Sequence, residues 1–123
     1  MIIKLGVIGT GNMGRNHVRI ARELNNCFQL VSVFDPDRSR VESLGLLDIA
    51  AESVESLIDK VDAVIIAAPS SLHKDLALEV AKQKKHLLVE KPLALSSEDA
   101  KTIVGAFEST GKTLMVGDRK SVV

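Results

Sequence analysis

The fold is decided by residues 2–14, which read IIKLGVIGTGNMG. Residues 2–8 are largely apolar, as expected for a buried strand of a parallel sheet. Gly9, Gly11 and Gly14 then follow in the pattern G-x-G-x-x-G, and an amphipathic helix is predicted from about residue 12 to residue 24. A strand, a glycine-rich turn and a helix in this order predict a turn that binds phosphate groups.

Each glycine has a separate task in such a turn. Gly9 makes the tight turn, Gly11 has no side chain to block a pyrophosphate, and Gly14 lets the helix pack closely on the strand. The alternative is a glycine-rich turn without a ligand. We predict that the whole turn contacts the pyrophosphate of a dinucleotide through Gly9, Thr10, Gly11, Asn12, Met13 and Gly14.

An acid lies about 20 residues beyond Gly14, as a dinucleotide site requires. It is Asp35, at the end of a second predicted strand, residues 28–34. A carboxylate there accepts hydrogen bonds from ribose hydroxyls and repels a 2′-phosphate, which favours NAD over NADP. Arg38 and Arg40 count against that choice, because an arginine can pair with a 2′-phosphate, and Arg38 is predicted to contact the cofactor. Asp35 can also open the turn Asp35-Pro36-Asp37.

Strands and helices alternate along the rest of the chain. The strands are predicted at residues 2–8, 28–34, 46–50, 61–68, 86–89 and 113–116. This alternation predicts one α/β domain over residues 1–117, a doubly wound parallel sheet of six strands in the order 3-2-1-4-5-6. The inner face of the first helix is predicted to carry Met13, Ile20, Ala21 and Leu24. Ser53 and Ser96 are predicted to cap two later helices, and Gly111 is predicted to end the second of these.

Two loops follow the fourth and fifth predicted strands, where ligands of open α/β sheets bind. In the first loop, Ser70 and Ser71 can donate to a ribose or phosphate or cap the next helix, and His73 is predicted to be structural. In the second, Lys91 is predicted to point towards the nicotinamide and to hydrogen-bond a substrate hydroxyl, with a surface lysine as the alternative. Glu90 can pair with Lys91 or hold a backbone group. The predicted cofactor contacts in these loops are Ala68, Pro69, Ser70, Leu72, His73, Glu90 and Lys91.

Composition excludes several classes of protein. The chain has 123 residues with 16 basic and 16 acidic side chains, so its net charge of 0 argues against a sequence-independent nucleic-acid or anionic-membrane binder. It lacks Tyr and Trp, which excludes a tyrosine acid within these residues. Cys27 is the only cysteine, so an internal disulfide or a cysteine zinc cluster is impossible, and no metal site is predicted. We expect a cytoplasmic protein with His17 and His86 on its surface and Cys27 packed.

These motifs together resemble the Gfo/Idh/MocA oxidoreductases. The matching stretches are GVIGTGNMGRNHVR (6–19), VFDPDRSR (33–40), AAPSSLH (67–73), HLLVEKPLA (86–94) and TLMVG (113–117). The resemblance implies an NAD(P)-binding Rossmann domain in which Lys91 lies beside nicotinamide and substrate. It implies an enzyme that transfers a hydride between nicotinamide and a hydroxyl carbon of a sugar, sugar nucleotide or polyol. The stretches SSLHKDLALEV (70–80) and KHLLVEKPLA (85–94) look most like the sugar-nucleotide 3-dehydrogenase branch.

The resemblance ends at Gly117. Members of the family continue with an α+β domain that carries a catalytic histidine, substrate contacts and the oligomer interface, so it implies a homo-oligomeric parent whose substrate domain is absent here. Residues 118–123 (DRKSVV) can be encoded by a common sequencing-library adapter read in frame, and our hypothesis is a tail that is not native, with a natural chain end as the alternative. The competing hypotheses are a stand-alone dinucleotide-binding module and a domain for another nucleotide such as adenosylmethionine. An exposed apolar patch is expected for the half-enzyme and a polar one for the module.

Overall fold

Five parallel strands form one sheet in the order β2-β1-β3-β4-β5. The structure, a computed structural model, describes residues 2–90 and 93–117, apart from the side chains of Asn12 and Met13. The predicted tail 118–123 lies outside this range. The strands are β1 (Ile3–Ile8), β2 (Phe28–Phe34), β3 (Ala63–Ile66), β4 (His86–Glu90) and β5 (Leu114–Gly117). The helices are α1 (Asn12–Glu23), α2 (Arg38–Ser43), α3 (Val54–Asp59), α4 (His73–Lys82) and α5 (Ser97–Thr110).

The prediction of a third strand at residues 46–50 was wrong, and with it the six-stranded order 3-2-1-4-5-6. Leu47–Ile49 form a short 3₁₀ turn, in which the Ile49 N–H donates to the Leu46 carbonyl at 3.0 Å. Backbone groups bonded within a turn are no longer available to a neighbouring strand. A single bridge between Val33 and Ala50 marks the place beside β2 where that strand was expected.

Helices pack against both faces of the sheet, as right-handed crossovers require. One face is covered by α3, α4 and α5, whose core includes Leu57, Val80 and Ile103. The other carries α1 and α2, with Val18 and Val41 in its core. Side chains alternate along a strand, so neighbouring residues of β3 and β4 contribute to opposite faces.

The face that carries α1 is only half covered. Beyond α1, the part over β3, β4 and β5 is an open apolar groove with a cavity of about 260 Å³. Ala63, Ile65, Leu88 and Met115 line it together with Ile20 of α1. Met115 is 60% exposed. Monomeric proteins rarely expose an apolar strip of this kind, which is continuous along three strands.

Local signals in the sequence place the ends of several elements. Ser53 and Ser56 form a reciprocal cap at the start of α3, and the Ser96 side chain accepts from the Asp99 N–H at the start of α5. These caps, and the end of α5 at Gly111, confirm the predictions. Cys27, predicted to be packed, is exposed instead, just before β2.

Candidate dinucleotide-binding site

The glycine turn joins β1 to α1 at the carboxyl end of the sheet. Gly9 has φ +95°, a conformation that favours glycine, and a Cβ there would lie 2.8 Å from the Ala67 backbone. A Cβ on Gly14 would lie 1.8 Å from the Gly9 carbonyl oxygen. Two of the three glycines are therefore required by the packing of the protein itself.

Gly11 is different, and it is the position that points to a ligand. A Cβ there would have ordinary backbone angles, and its nearest neighbour would be an Arg40 nitrogen at 3.9 Å. Gly11 is the N-cap of α1, no side chain caps that end, and the first turn holds no acid. The start of α1 therefore presents uncapped N–H groups and the positive end of the helix dipole, and Gly11 has no side chain to block them. This arrangement suits a pyrophosphate.

Asp35 ties the end of β2 to this turn. Its Oδ2 accepts from the Thr10 N–H at 2.8 Å and from the Thr10 hydroxyl at 2.9 Å, and its Oδ1 accepts from the Asp37 N–H at 2.9 Å. Burial raises the pKa of Asp35, but these hydrogen bonds and the positive charge of Arg40 outweigh it, so the pKa lies below its ordinary value. The Asp35 carboxylate is thus held in its charged form beside the glycine turn.

Two arginines stand beside the turn. Arg15 and Arg40 line a pocket of about 310 Å³ together with Thr10, Gly11 and Ser43. The Arg40 Nη1 lies 3.8 Å from Asp35 Oδ2, and its Nε lies 3.7 Å from Asp37 Oδ2. Arg38, the predicted contact, is exposed at the start of α2. Arg40 is therefore the arginine that adjoins Asp35, and Arg15 was not foreseen.

The loop after β3 is held by His73. This side chain is 1% exposed, and its Nε2 donates to the Ala68 carbonyl oxygen at 2.8 Å. The bond closes the loop that contains Pro69, Ser70 and Leu72. Neither Ser70 nor Ser71 caps the following helix: Leu72 is the N-cap residue of α4 and no side chain caps it. Of the two roles considered for these serines, the helix cap was therefore wrong.

The last residue of β4 has a partner that the sequence did not reveal. The Glu90 carboxylate is hydrogen-bonded to the ring Nε2 of His17 on α1. His17 was expected on the surface but is 4% exposed. The predicted inner face of α1 was also wrong in part, because Leu24 is exposed. Among the α1 side chains that the structure describes, the buried residues are Gly14, His17, Val18 and Ala21. The spacing of Gly14 and His17, three residues apart, places them on one face of the helix, and this is the signal in the sequence for a buried His17.

Lys91 lies outside the described residues, and so do the side chains of Asn12 and Met13. Within residues 2–90 and 93–117, no group of three or more His, Cys, Asp or Glu side chains could hold a metal ion. In the same part of the chain, no helix is both long enough and apolar enough to cross a membrane.

The fold and the turn define a dinucleotide-binding Rossmann domain, and comparison with known proteins gives its family. Residues 3–118 match the model of the Gfo/Idh/MocA oxidoreductase family with its NAD-binding Rossmann fold, so the chain belongs to that family. It is 37% identical over 123 residues to UDP-N-acetylglucosamine 3-dehydrogenase of Acidithiobacillus ferrooxidans, covering 98% of this chain and 38% of that protein. It is 36% identical over 118 residues to 2,7-anhydro-N-acetylneuraminate hydratase of Escherichia coli, covering 94% and 32%.

A solved structure agrees with the sequence comparisons. The WlbA dehydrogenase of Bordetella pertussis, in complex with NADH and UDP-GlcNAcA, superposes with a TM-score of 0.87 at 28% identity. The match covers 95% of this chain and 37% of that one. The chain thus spans about a third of the length of the relatives it matches. The predicted family, the NAD-binding Rossmann domain and NAD as the cofactor are confirmed.

Proposed function

We propose that this chain is the cofactor-binding domain of a longer NAD-dependent dehydrogenase that acts on a hydroxyl carbon of a sugar, sugar nucleotide or polyol. The observation that carries the proposal is Gly11, a glycine that internal packing does not require, at the uncapped start of α1. When bound, the nicotinamide accepts or supplies the hydride. The protein binds and orients the two partners.

Different residues at the carboxyl edge of the sheet bind different parts of the dinucleotide. The N–H groups at the start of α1 bind the pyrophosphate, and Asp35 receives a ribose hydroxyl on the β2 side. Three of the roughly four acceptor positions of that carboxylate are already taken by Thr10 and Asp37. Asp35 therefore serves both the turn and the cofactor. The loop of Ala68, Pro69, Ser70 and Leu72 and the end of β4 receive the nicotinamide half.

Lys91 is proposed as the catalytic residue of this domain. It follows directly on Glu90, the last residue of β4, at the edge of the sheet where ligands bind. Its ammonium orients the substrate hydroxyl or assists the transfer of its proton. The missing partner in this chemistry is a histidine supplied by the remainder of the parent protein.

The open groove beside α1 supports a second domain. An apolar face over β3, β4 and β5 with Met115 60% exposed is what a half-enzyme should show. A stand-alone module would have been expected to carry polar side chains there. We therefore favour the half-enzyme over the stand-alone module. We further propose that the rest of the parent provides the substrate contacts and a homo-oligomer interface, and that the parent is cytoplasmic.

The relatives support a carbohydrate substrate without choosing one. Both the UDP-N-acetylglucosamine 3-dehydrogenase and the solved dehydrogenase with UDP-GlcNAcA point to sugar nucleotides. Another relative is named a hydratase, so the cofactor domain alone does not fix the net reaction. We place the parent among enzymes acting on sugars or sugar nucleotides.

Titration of the chain with NADH tests the proposal. The chain contains no Trp or Tyr, so the emission of NADH can be followed without interference from protein fluorescence. We expect saturable binding that ADP-ribose competes away and adenosylmethionine does not. Absence of NADH binding by the folded chain, or displacement of NADH by adenosylmethionine, would overturn the proposal.

A further inference from the structure

A partly buried acid and a buried histidine meet at the edge of the site, and the function proposed above assigns no task to the contact between them. The Glu90 side chain is 12% exposed and the His17 side chain 4% exposed, and they are hydrogen-bonded through Oε1 and Nε2. A carboxylate buried to this degree needs a partner, because burial without one is costly. His17 is the partner that the described residues provide for Glu90.

The pair joins elements that are not neighbours in the sheet. His17 belongs to α1, which packs over β1 and β2, whereas Glu90 ends β4, and β3 lies between β1 and β4. Alternation along β4 places Glu90 on the same face as Leu88, which lines the open groove beside α1. Gly14 lets the first turn of α1 approach the sheet, and His17 follows on the same helix face. The hydrogen bond therefore reaches across β3.

We propose that His17 and Glu90 are a positioning pair that fixes the carboxyl end of β4 to the helix that binds the pyrophosphate. This inference rests on the proposed function. The carboxyl end of β4 leads directly into Lys91, on the side of the site away from Asp35. The pair thereby sets how the nicotinamide half is received, while Asp35 and Thr10 hold the adenosine half independently.

Removal of either partner should have the same effect. Without His17, the Glu90 carboxylate would turn towards water and release the strand end from α1. Without Glu90, His17 would have nothing to hold. Because the two residues act as one unit, the losses should not add in a double variant.

The experiment compares NADH with ADP-ribose, which lacks the nicotinamide. The variants are His17→Ala, Glu90→Ala, the double variant, and Glu90→Gln, which keeps a carbonyl acceptor for His17. Glu23→Gln is the matched control, because Glu23 pairs with Arg19 on the exposed side of the same helix. Dissociation constants for both ligands are measured on the 123-residue chain, and thermal unfolding verifies that each variant is folded.

We expect His17→Ala and Glu90→Ala each to weaken NADH binding about tenfold, the scale of one positioning hydrogen bond, with ADP-ribose binding unchanged. The double variant should lose no more, and Glu90→Gln should recover most of the affinity even if the alanine variants fold poorly. A loss with Glu90→Ala but not with His17→Ala would mean that Glu90 contacts the cofactor itself, and would overturn the pair. Equal losses for both ligands, or none, would also overturn it. Failure of the unmodified chain to bind NADH would instead overturn the proposed function, and this inference with it.

Discussion

The Asp35 carboxylate accepts hydrogen bonds from both the backbone N–H and the hydroxyl of Thr10, at 2.8 and 2.9 Å. Asp35 follows β2 and Thr10 belongs to the glycine turn after β1, so these bonds fasten two neighbouring strand ends together. The acid predicted to receive a ribose and the turn predicted to receive a pyrophosphate are therefore one hydrogen-bonded unit. A change in Asp35 or Thr10 is therefore expected to disturb both the ribose site and the pyrophosphate site.

Replacement of Thr10 by Val tests that connection. The variant keeps the shape and the backbone donor but loses the hydroxyl that donates to a buried carboxylate. We expect the free energy of unfolding to fall by about 1–2 kcal/mol, measured by urea denaturation. Thr102→Val is the control, because the Thr102 hydroxyl donates to a backbone carbonyl on the exposed side of α5. Equal effects of the two substitutions would contradict a special role for Thr10.

Stability should fall in acid because of Asp35. Its pKa is lower in the folded protein than the ordinary value of about 4, because hydrogen bonds and Arg40 outweigh the effect of burial. The pKa of Asp37 is lowered too, first of all by the hydroxyl and N–H of Ser39. A lowered folded pKa contributes stability above the unfolded value, and this contribution is lost as the pH falls through the folded value.

Urea unfolding at a series of pH values between about 2 and 7 checks this. The Asp35→Asn variant should lose less stability in acid than the unmodified chain. Asp48→Asn, a substitution in the exposed 3₁₀ turn, serves as the surface control. An unchanged acid dependence in Asp35→Asn would show that other groups cause it.

Cofactor choice should also depend on the charge of Asp35. A carboxylate repels the 2′-phosphate of NADPH, whereas Arg40 beside it attracts that group. We expect NADH to bind more tightly than NADPH, and Asp35→Asn to reduce that preference about tenfold. Asp37→Asn is the matched control, because Asp37 lies in the same turn with its side chain 53% exposed. Tighter binding of NADPH by the unmodified chain would contradict the preference for NAD.

Two glycine substitutions should separate folding from binding. Gly11→Ala meets no atom closer than 3.9 Å, so the melting temperature should stay near that of the unmodified chain while NADH binding weakens more than about tenfold. Gly14→Ala would place a Cβ 1.8 Å from the Gly9 carbonyl oxygen, so it should destabilise the fold. Normal NADH affinity in a folded Gly11→Ala chain would show that no ligand approaches that backbone.

The open groove should make the isolated chain associate with itself. Met115→Glu places a charge in the groove and should reduce association at high concentration, measured by sedimentation velocity, without changing NADH affinity. Leu47→Glu is the control, since Leu47 is an exposed apolar residue in the 3₁₀ turn beside β2, at the edge of the sheet opposite β5. If both substitutions reduce association alike, general surface hydrophobicity and not the groove is responsible.

The sequence was sufficient for the parts of the fold that depend on local patterns. The strand before the glycine turn, the caps at Ser53 and Ser96 and the acid after β2 are each encoded within a few residues. Residues 46–50 were harder, because a short apolar run is compatible with a strand or a turn. Here Leu46 is fully buried and Leu47 is 43% exposed, and the backbone forms hydrogen bonds within a 3₁₀ turn and a bridge to β2 between Ala50 and Val33, instead of a strand.

The candidate site was predictable only where its residues lie at the end of a single strand and can be recognised by their spacing along the chain. Asp35 and the glycines follow from spacing. The partner of Glu90 did not, because His17 lies 73 residues away and meets it across an intervening strand. Likewise Arg40 and not Arg38 adjoins Asp35, which depends on how α2 turns beyond β2. Contacts of this kind arise from tertiary packing and leave no periodic trace in the chain.

The exposed Cys27 gives the domain a chemical handle at one defined place. It is the only cysteine of the chain and precedes β2, whereas Asp35 follows that strand at its opposite end. A seven-residue strand spans about 20 Å, so a dye attached to the thiol would leave the dinucleotide site unobstructed. Because each molecule has one thiol, oxidation can link two chains and no more. Air-exposed preparations would therefore contain disulfide-linked dimers but no larger disulfide-linked species.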